Sequence, residues 1–110
     1  MTVSELKDAL GLESIALPDP ERIVTGGYTG DLLSWVMGRC KEGDAWVTIM
    51  SSVNVIAVAT LADPACVIIS ENAELLPGVA EKAAEQSVNL LHSSLDSFTL
   101  CAKIAALLSV

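Results

Sequence analysis

Residues 23–59, IVTGGYTGDLLSWVMGRCKEGDAWVTIMSSVNVIAVA, decide how the chain folds. They read as a brief strand, a loop Gly26-Gly27-Tyr28-Thr29-Gly30-Asp31, a helix, a second strand, a loop Ser51-Ser52-Val53-Asn54 and a second helix. Strands that alternate with crossover helices run parallel, and parallel strands place the loops that follow them along one edge of the sheet. Residues 22–25 are expected as the first strand, with Gly26-Gly27 breaking it. Asp31 is expected to cap the next helix, in which Leu33, Val36, Met37 and Cys40 share a stripe. Residues 45–50 follow as a strand. Ser52 or Asn54 then caps a helix that Asp63-Pro64 stops.

Working outward, Thr2 and Glu5 form a capping box ahead of Val3, Leu6 and Leu10, and Gly11 ends that helix. Residues 13–16 make a short strand, and Pro18 and Pro20 turn the next segment into a link. On the C-terminal side, residues 66–69 are wholly apolar, as in a strand buried on both faces of a parallel sheet. Pro77 is expected at the first turn of a helix. Residues 88–91 form the last strand, and a helix over residues 97–108 closes the chain, with Asp96 as its cap. The expected fold is one domain, a three-layer α/β/α sandwich with a mostly parallel sheet of four or five strands and helices on both faces.

Composition sets limits on function. A chain of 110 residues fits one domain. Six basic residues stand against fourteen acidic ones, a net charge of -8. Such a balance excludes a phosphate-backbone partner and an anionic membrane surface, both of which need clustered cations. Residues 45–62 carry no charge, but Ser51, Ser52 and Asn54 interrupt them, so they read as strand and helix and not as a membrane span. The first residues lack the basic flank and apolar run of a secretory leader, and a cytoplasmic location is expected. Cys40, Cys66 and Cys101 are odd in number and form no Cys-x-x-Cys pair, which points to reduced thiols with neither metal nor cofactor. Residues 54–62 and the last helix have no full polar face. A homodimer is the simplest cover for them.

Chemistry can gather at the loops of residues 26–31, 51–54, 70–74 and 92–96. Each is rich in small polar residues and opens a helix, whose free N–H groups favour anions or polar ligands. The expected crevice is lined by Gly27, Tyr28, Gly30, Asp31, Ser51, Asn54, Glu71 and Ser93, with Tyr28 available to stack on a base. The glycine spacing matches neither a P-loop nor a dinucleotide fingerprint. No two acids are paired for acid–base work, and the single histidine, His92, supports no triad. No catalytic residue is identified.

Residues 26–37 (GGYTGDLLSWVM), 41–49 (KEGDAWVTI) and 54–59 (NVIAVA) resemble the stand-alone DRTGG-domain proteins of anaerobic bacteria. Domains similar to these form the N-terminal part of HPr kinase/phosphorylase and occur in phosphotransacetylases and in pyrophosphatases that carry CBS domains. The resemblance implies a three-layer α/β fold, dimerisation and a regulatory or ligand-sensing role. It does not imply kinase activity, because the kinase's P-loop lies in another domain. In the family, Gly-Asp is commonly followed by Arg, and a later strand ends in Thr-Gly-Gly. Here Leu32 follows Gly30-Asp31, and the later strand ends in Ser70-Glu71-Asn72. The expected function is a non-catalytic, homodimeric regulatory domain for a small polar or nucleotide-like ligand. The alternatives are an adaptor that docks onto a larger metabolic or redox enzyme as its protein partner and, more remotely, a phosphoryl-transfer enzyme.

Overall fold

The computed structural model describes residues 1–109. Its elements run α1 (Val3–Leu10), β1 (Glu13–Ala16), β2 (Gly26–Thr29), α2 (Leu33–Arg39), β3 (Asp44–Thr48), α3 (Val53–Ala62), β4 (Cys66–Ile69), α4 (Val79–Glu85), β5 (Leu90–His92) and α5 (Ser97–Leu108). The five strands form one sheet in the order β1-β5-β4-β3-β2. β2 to β5 are parallel, and β1 joins β5 antiparallel. This is the expected α/β sandwich.

Two apolar layers hold it together. On one face, Val3 and Leu6 of α1 and Leu100 and Ile104 of α5 pack on Ala45, Val47, Cys66, Ile68 and Leu91. On the other, Val36, Ile56, Ala59 and Ala83 from α2, α3 and α4 pack on Trp46, Val67, Ile69 and Leu90. The side chains of β3 and β4 alternate between the two layers, which is why both strands read as nearly unbroken apolar runs.

Local signals act as read in several places. Thr2 Oγ1 accepts the Glu5 N–H at 3.0 Å while Glu5 Oε1 accepts the Thr2 N–H at 2.8 Å, and Gly11 ends α1 in the left-handed conformation. Asp96 Oδ2 accepts the Thr99 N–H at 2.9 Å and caps α5.

Others are corrected. β2 is Gly26–Thr29, so the glycines lie inside the strand and do not break it. A Cβ on Gly26 would stand 2.9 Å from Asp44 Oδ1, so a larger residue there could pair with β3 only if that carboxylate, held on its other oxygen by the Lys41 N–H, moved aside. Pro77 precedes α4, which starts at Val79 after a left-handed Gly78. The last strand is Leu90–His92, two residues later than read at its start. α3 and α5 bury one side only: Leu61 is 71% exposed and Phe98 83%.

Candidate functional site

Because β2, β3, β4 and β5 are parallel, the loops that follow them emerge on one rim. Asp31, Ser51, Asn54, Glu71 and Ser93 all lie along it, and Gly30 adjoins it at the end of β2. Gly27 and Tyr28 lie within β2.

The polar side chains of that rim bind the loops to one another. Asp31 Oδ1 accepts from Thr48 Oγ1 at 2.7 Å and from the Ile49 N–H at 3.0 Å, fastening the β2–α2 loop to the end of β3. The helix cap falls instead on Leu32, which supplies no side-chain bond. Ser51 Oγ donates to Glu74 O at 2.6 Å, and the Leu76 N–H donates to Ser51 O at 3.1 Å, joining the β3–α3 and β4–α4 loops. The Glu71 and Asn72 N–H groups donate to Leu95 O and Ser93 O, and Ser93 Oγ accepts the Leu95 N–H. One hydrogen-bonded seam therefore runs from β2 to β5.

Helix N-termini along the seam are unequally open. At α5 the Ser97 N–H donates to Glu71 Oε2 at 2.8 Å, and Thr99 is taken by Asp96, so the first turn of that helix is occupied. Hydrogen bonds from the Thr99 hydroxyl and amide hold the Asp96 carboxyl below its usual range. At α3 the N-cap Ser52 makes no side-chain bond, and Asn54 in the first turn is exposed. Glu71 and Asn72, at the place where the resembled family ends its strand in Thr-Gly-Gly, both hold left-handed backbone, with φ of 61° and 53°. Glycine adopts that conformation freely and glutamate does not; the Glu71 carboxylate on α5 is what its side chain adds.

No one cavity gathers the eight residues. Ser93 lines a polar cleft of about 480 Å³ at the β5 end of the rim, with Glu13, Asn72, His92, Ser94 and Lys103. His92 Nε2 lies 3.0 Å from Ala73 O, and Nδ1 lies 3.4 Å from Glu13 Oε2, so both ring nitrogens face acceptors. Sequence reading passed over Lys103 and Glu13, which lie far from the strand tips in the chain. Gly27 and Tyr28 line an apolar groove of about 200 Å³ between β2 and α5. Asp31, Ser51, Asn54 and Glu71 line neither.

Among the described residues no cluster of three or more His, Cys, Asp or Glu side chains is arranged to hold a metal ion. No helix among them is long and apolar enough to cross a membrane. The three cysteines are free thiols, and burial pushes Cys66 up to about 12 and Cys40 to about 11, the latter with help from Asp44. Such thiols are inert at neutral pH.

No family model and no curated protein matches the sequence. Among solved structures, the chain is similar to the CBS and DRTGG domains of the regulatory region of Clostridium perfringens pyrophosphatase, complexed with its activator diadenosine tetraphosphate. The TM-score is 0.68 at 15% sequence identity, over 92% of this chain and 44% of that one. This chain thus spans less than half of its structural neighbour, and the likeness is one of fold. It supports a CBS/DRTGG-like fold and gives the HPr kinase part of the resemblance no support.

Proposed function

We propose that this chain is a non-catalytic, homodimeric regulatory domain that binds a small polar or nucleotide-like ligand at the C-terminal edge of its sheet. One observation carries the reading: the strand-tip rim opens at β5 into a cleft whose lining includes the cation Lys103, the amide of Asn72 and the hydroxyls of Ser93 and Ser94, together with His92 and the Glu13 carboxylate. Cation, amide and hydroxyls suit the phosphate and hydroxyl groups of a nucleotide. The fold shared with a regulatory region crystallised with a nucleotide activator supports the same class of ligand. Ligand bound at this end would pull on the hydrogen-bonded seam, which reaches every loop of the rim, and so bias the pairing of two copies.

Titration calorimetry with diadenosine tetraphosphate, AMP and inorganic phosphate tests the proposal. The native chain is expected to bind at least one of them, and Lys103→Glu to weaken that binding tenfold or more, as loss of a phosphate-facing cation does on the order of 1–3 kcal/mol. Asn54→Leu should weaken it too if the ligand reaches along the rim to α3. No heat from the native chain with any of the three overturns the sensing role.

A second reading, an adaptor docking onto a larger enzyme, is favoured by the large apolar side chains left in solvent near the rim, Leu32, Ile49, Met50, Val53, Leu76 and Phe98.

A further inference from the structure

We propose that the cleft at the β5 end of the rim takes a phosphorylated cis-diol, a phosphate ester whose two adjacent hydroxyls are received by Glu13 and His92. The inference rests on the ligand-binding function proposed above and names the chemical class of the ligand.

The register of the sheet makes the receiving pair. Glu13 of β1 stands directly opposite His92 of β5 in the antiparallel ladder, so their side chains share one face of the sheet. His92 Nε2 is 3.0 Å from Ala73 O, an atom that can only accept, so Nε2 carries the hydrogen that joins them. In the neutral ring Nδ1 is then a lone pair. It lies 3.4 Å from Glu13 Oε2, a second lone pair, so two acceptors face each other with no donor to join them. The His92 side chain is 14% exposed and held in place, whereas that of Glu13 is 67% exposed, and both line the cleft. A ligand that fills this gap must bring hydrogens. Two adjacent hydroxyls bring one to each acceptor, at a spacing close to that of the acceptors themselves.

The rest of the cleft has the opposite character. Ser93 is 7% exposed; its Oγ accepts the Leu95 N–H at 3.1 Å, and its own hydrogen meets no acceptor among the described residues. The Asn72 amide and the Lys103 ammonium line the same cleft, and all three groups can donate to the oxygens of a phosphate. One set of residues short of hydrogens and another rich in them select a ligand that carries hydroxyls and an anion together. Inorganic phosphate alone is a poor occupant, because the Glu13 carboxylate in the same cleft repels it. Sugar phosphates and nucleotides share the required chemistry.

Titration calorimetry on the full chain tests the proposal with ribose 5-phosphate, AMP, 2′-deoxy-AMP and inorganic phosphate, in a mildly alkaline buffer that keeps an imidazole neutral. The deoxy analogue is expected to bind tenfold or more weakly than AMP, because it leaves an acceptor unfilled. Glu13→Ala, at an exposed position on β1, should cut that preference to about threefold or less. Ribose 5-phosphate bound as tightly as AMP assigns the cleft to sugar phosphates, and a preference for AMP assigns it to nucleotides; either result supports the proposal. Native binding that ignores the 2′-hydroxyl, or inorganic phosphate held as tightly as the esters, overturns the diol assignment and leaves the sensing role standing. A preference that survives Glu13→Ala in full places the diol elsewhere and overturns the assignment as well. Silence with all four overturns it too, and the sensing role outlives that result only if diadenosine tetraphosphate binds. If Glu13→Ala fails to fold, the native comparison of AMP with its deoxy analogue decides the matter alone.

Discussion

The two edges of the sheet solve the same problem in opposite ways. At the β1 edge the register slips between Ser14 and Ala16, the chain runs on into Pro18 and Pro20, and Asn89 grips the Asp19 backbone from inside. A bulge and two prolines there leave a poor template for another strand. At the β2 edge four residues pair in unbroken register with β3, two of them glycine and none charged. The contrast lies in the guards: β1 carries them and β2 carries none, although residues 1–3 of the chain pair beside the stretch just before it, where the Val24 N–H donates to Met1 O at 2.8 Å. The mean hydropathy is +0.54 and the net charge -8, so like charge opposes the approach of two copies at an unguarded edge.

Removing the anchor of the open edge should have the largest effect. Trp46 is wholly buried, registers with Tyr28, and donates its indole N–H to Gly30 O at 3.0 Å. Trp46→Ala deletes the largest core side chain and frees the end of β2. A loss of about 3–5 kcal/mol is expected in urea unfolding. Hydrogen exchange should show β2 losing protection before β1 does, and simultaneous loss at both edges would mean that they are not separately held.

The closed edge has its own anchor, and the expected effect is smaller. Asn89 is buried; its Oδ1 accepts the Asp19 N–H at 2.9 Å, and its Nδ2 donates to Asp19 O at 2.7 Å and Ala65 O at 2.9 Å. Asn89→Ala strands those backbone groups, an expected loss of about 2–3 kcal/mol by the same unfolding measurement. The new exchange should be confined to β1 and the proline link. Equal loosening of β2 would erase the distinction between the edges.

These anchors show what the sequence could and could not convey. The capping box at Thr2 and Glu5, the cap at Asp96 and the apolar run of β4 are read correctly because each signal spans a few residues and both partners lie in it. The β2 strand is misplaced because glycine has little strand preference of its own. Its presence there is decided by the Asp44 carboxylate eighteen positions away, where a Cβ would collide. Asp31 is misread for the same reason: a local helix N-terminus and a distant Thr48 hydroxyl compete for one carboxylate, and the distant partner wins. The rim could be predicted from strand order alone. That its polar side chains would be consumed in stitching loops together, and that the cleft at β5 would recruit Lys103 and Glu13, depends on contacts no periodicity records.

Asp31→Ala probes that stitching at the open edge. Two hydrogen bonds are lost, but the carboxylate is exposed and water replaces part of what they supply, so a loss of about 1 kcal/mol is expected. Hydrogen exchange should rise at Ile49 and in the β2–α2 loop, where the carboxylate makes its two bonds. A loss of protection spread evenly over both edges would mean that the carboxylate is not a local fastening.

The smallest expected effect lies beside the closed edge and is a gain. Ser87 follows α4 with φ at 58°, a left-handed residue in a turn where its side chain is exposed and its backbone N–H donates to Ala84 O at 3.3 Å. Glycine removes the steric penalty of a Cβ at that angle but adds freedom to the unfolded chain, and the two effects oppose each other. Helices commonly end on such a glycine, which indicates that the steric relief outweighs the added freedom. Ser87→Gly should therefore stabilise the fold by about 0.5 kcal/mol, read as a small rise in melting temperature, while Ser87→Ala, which keeps the Cβ and loses the hydroxyl, should not. Since α4 packs against β1 and the turn leads into β5, the gain should appear as slower exchange in that half of the sheet and leave β2 as it was.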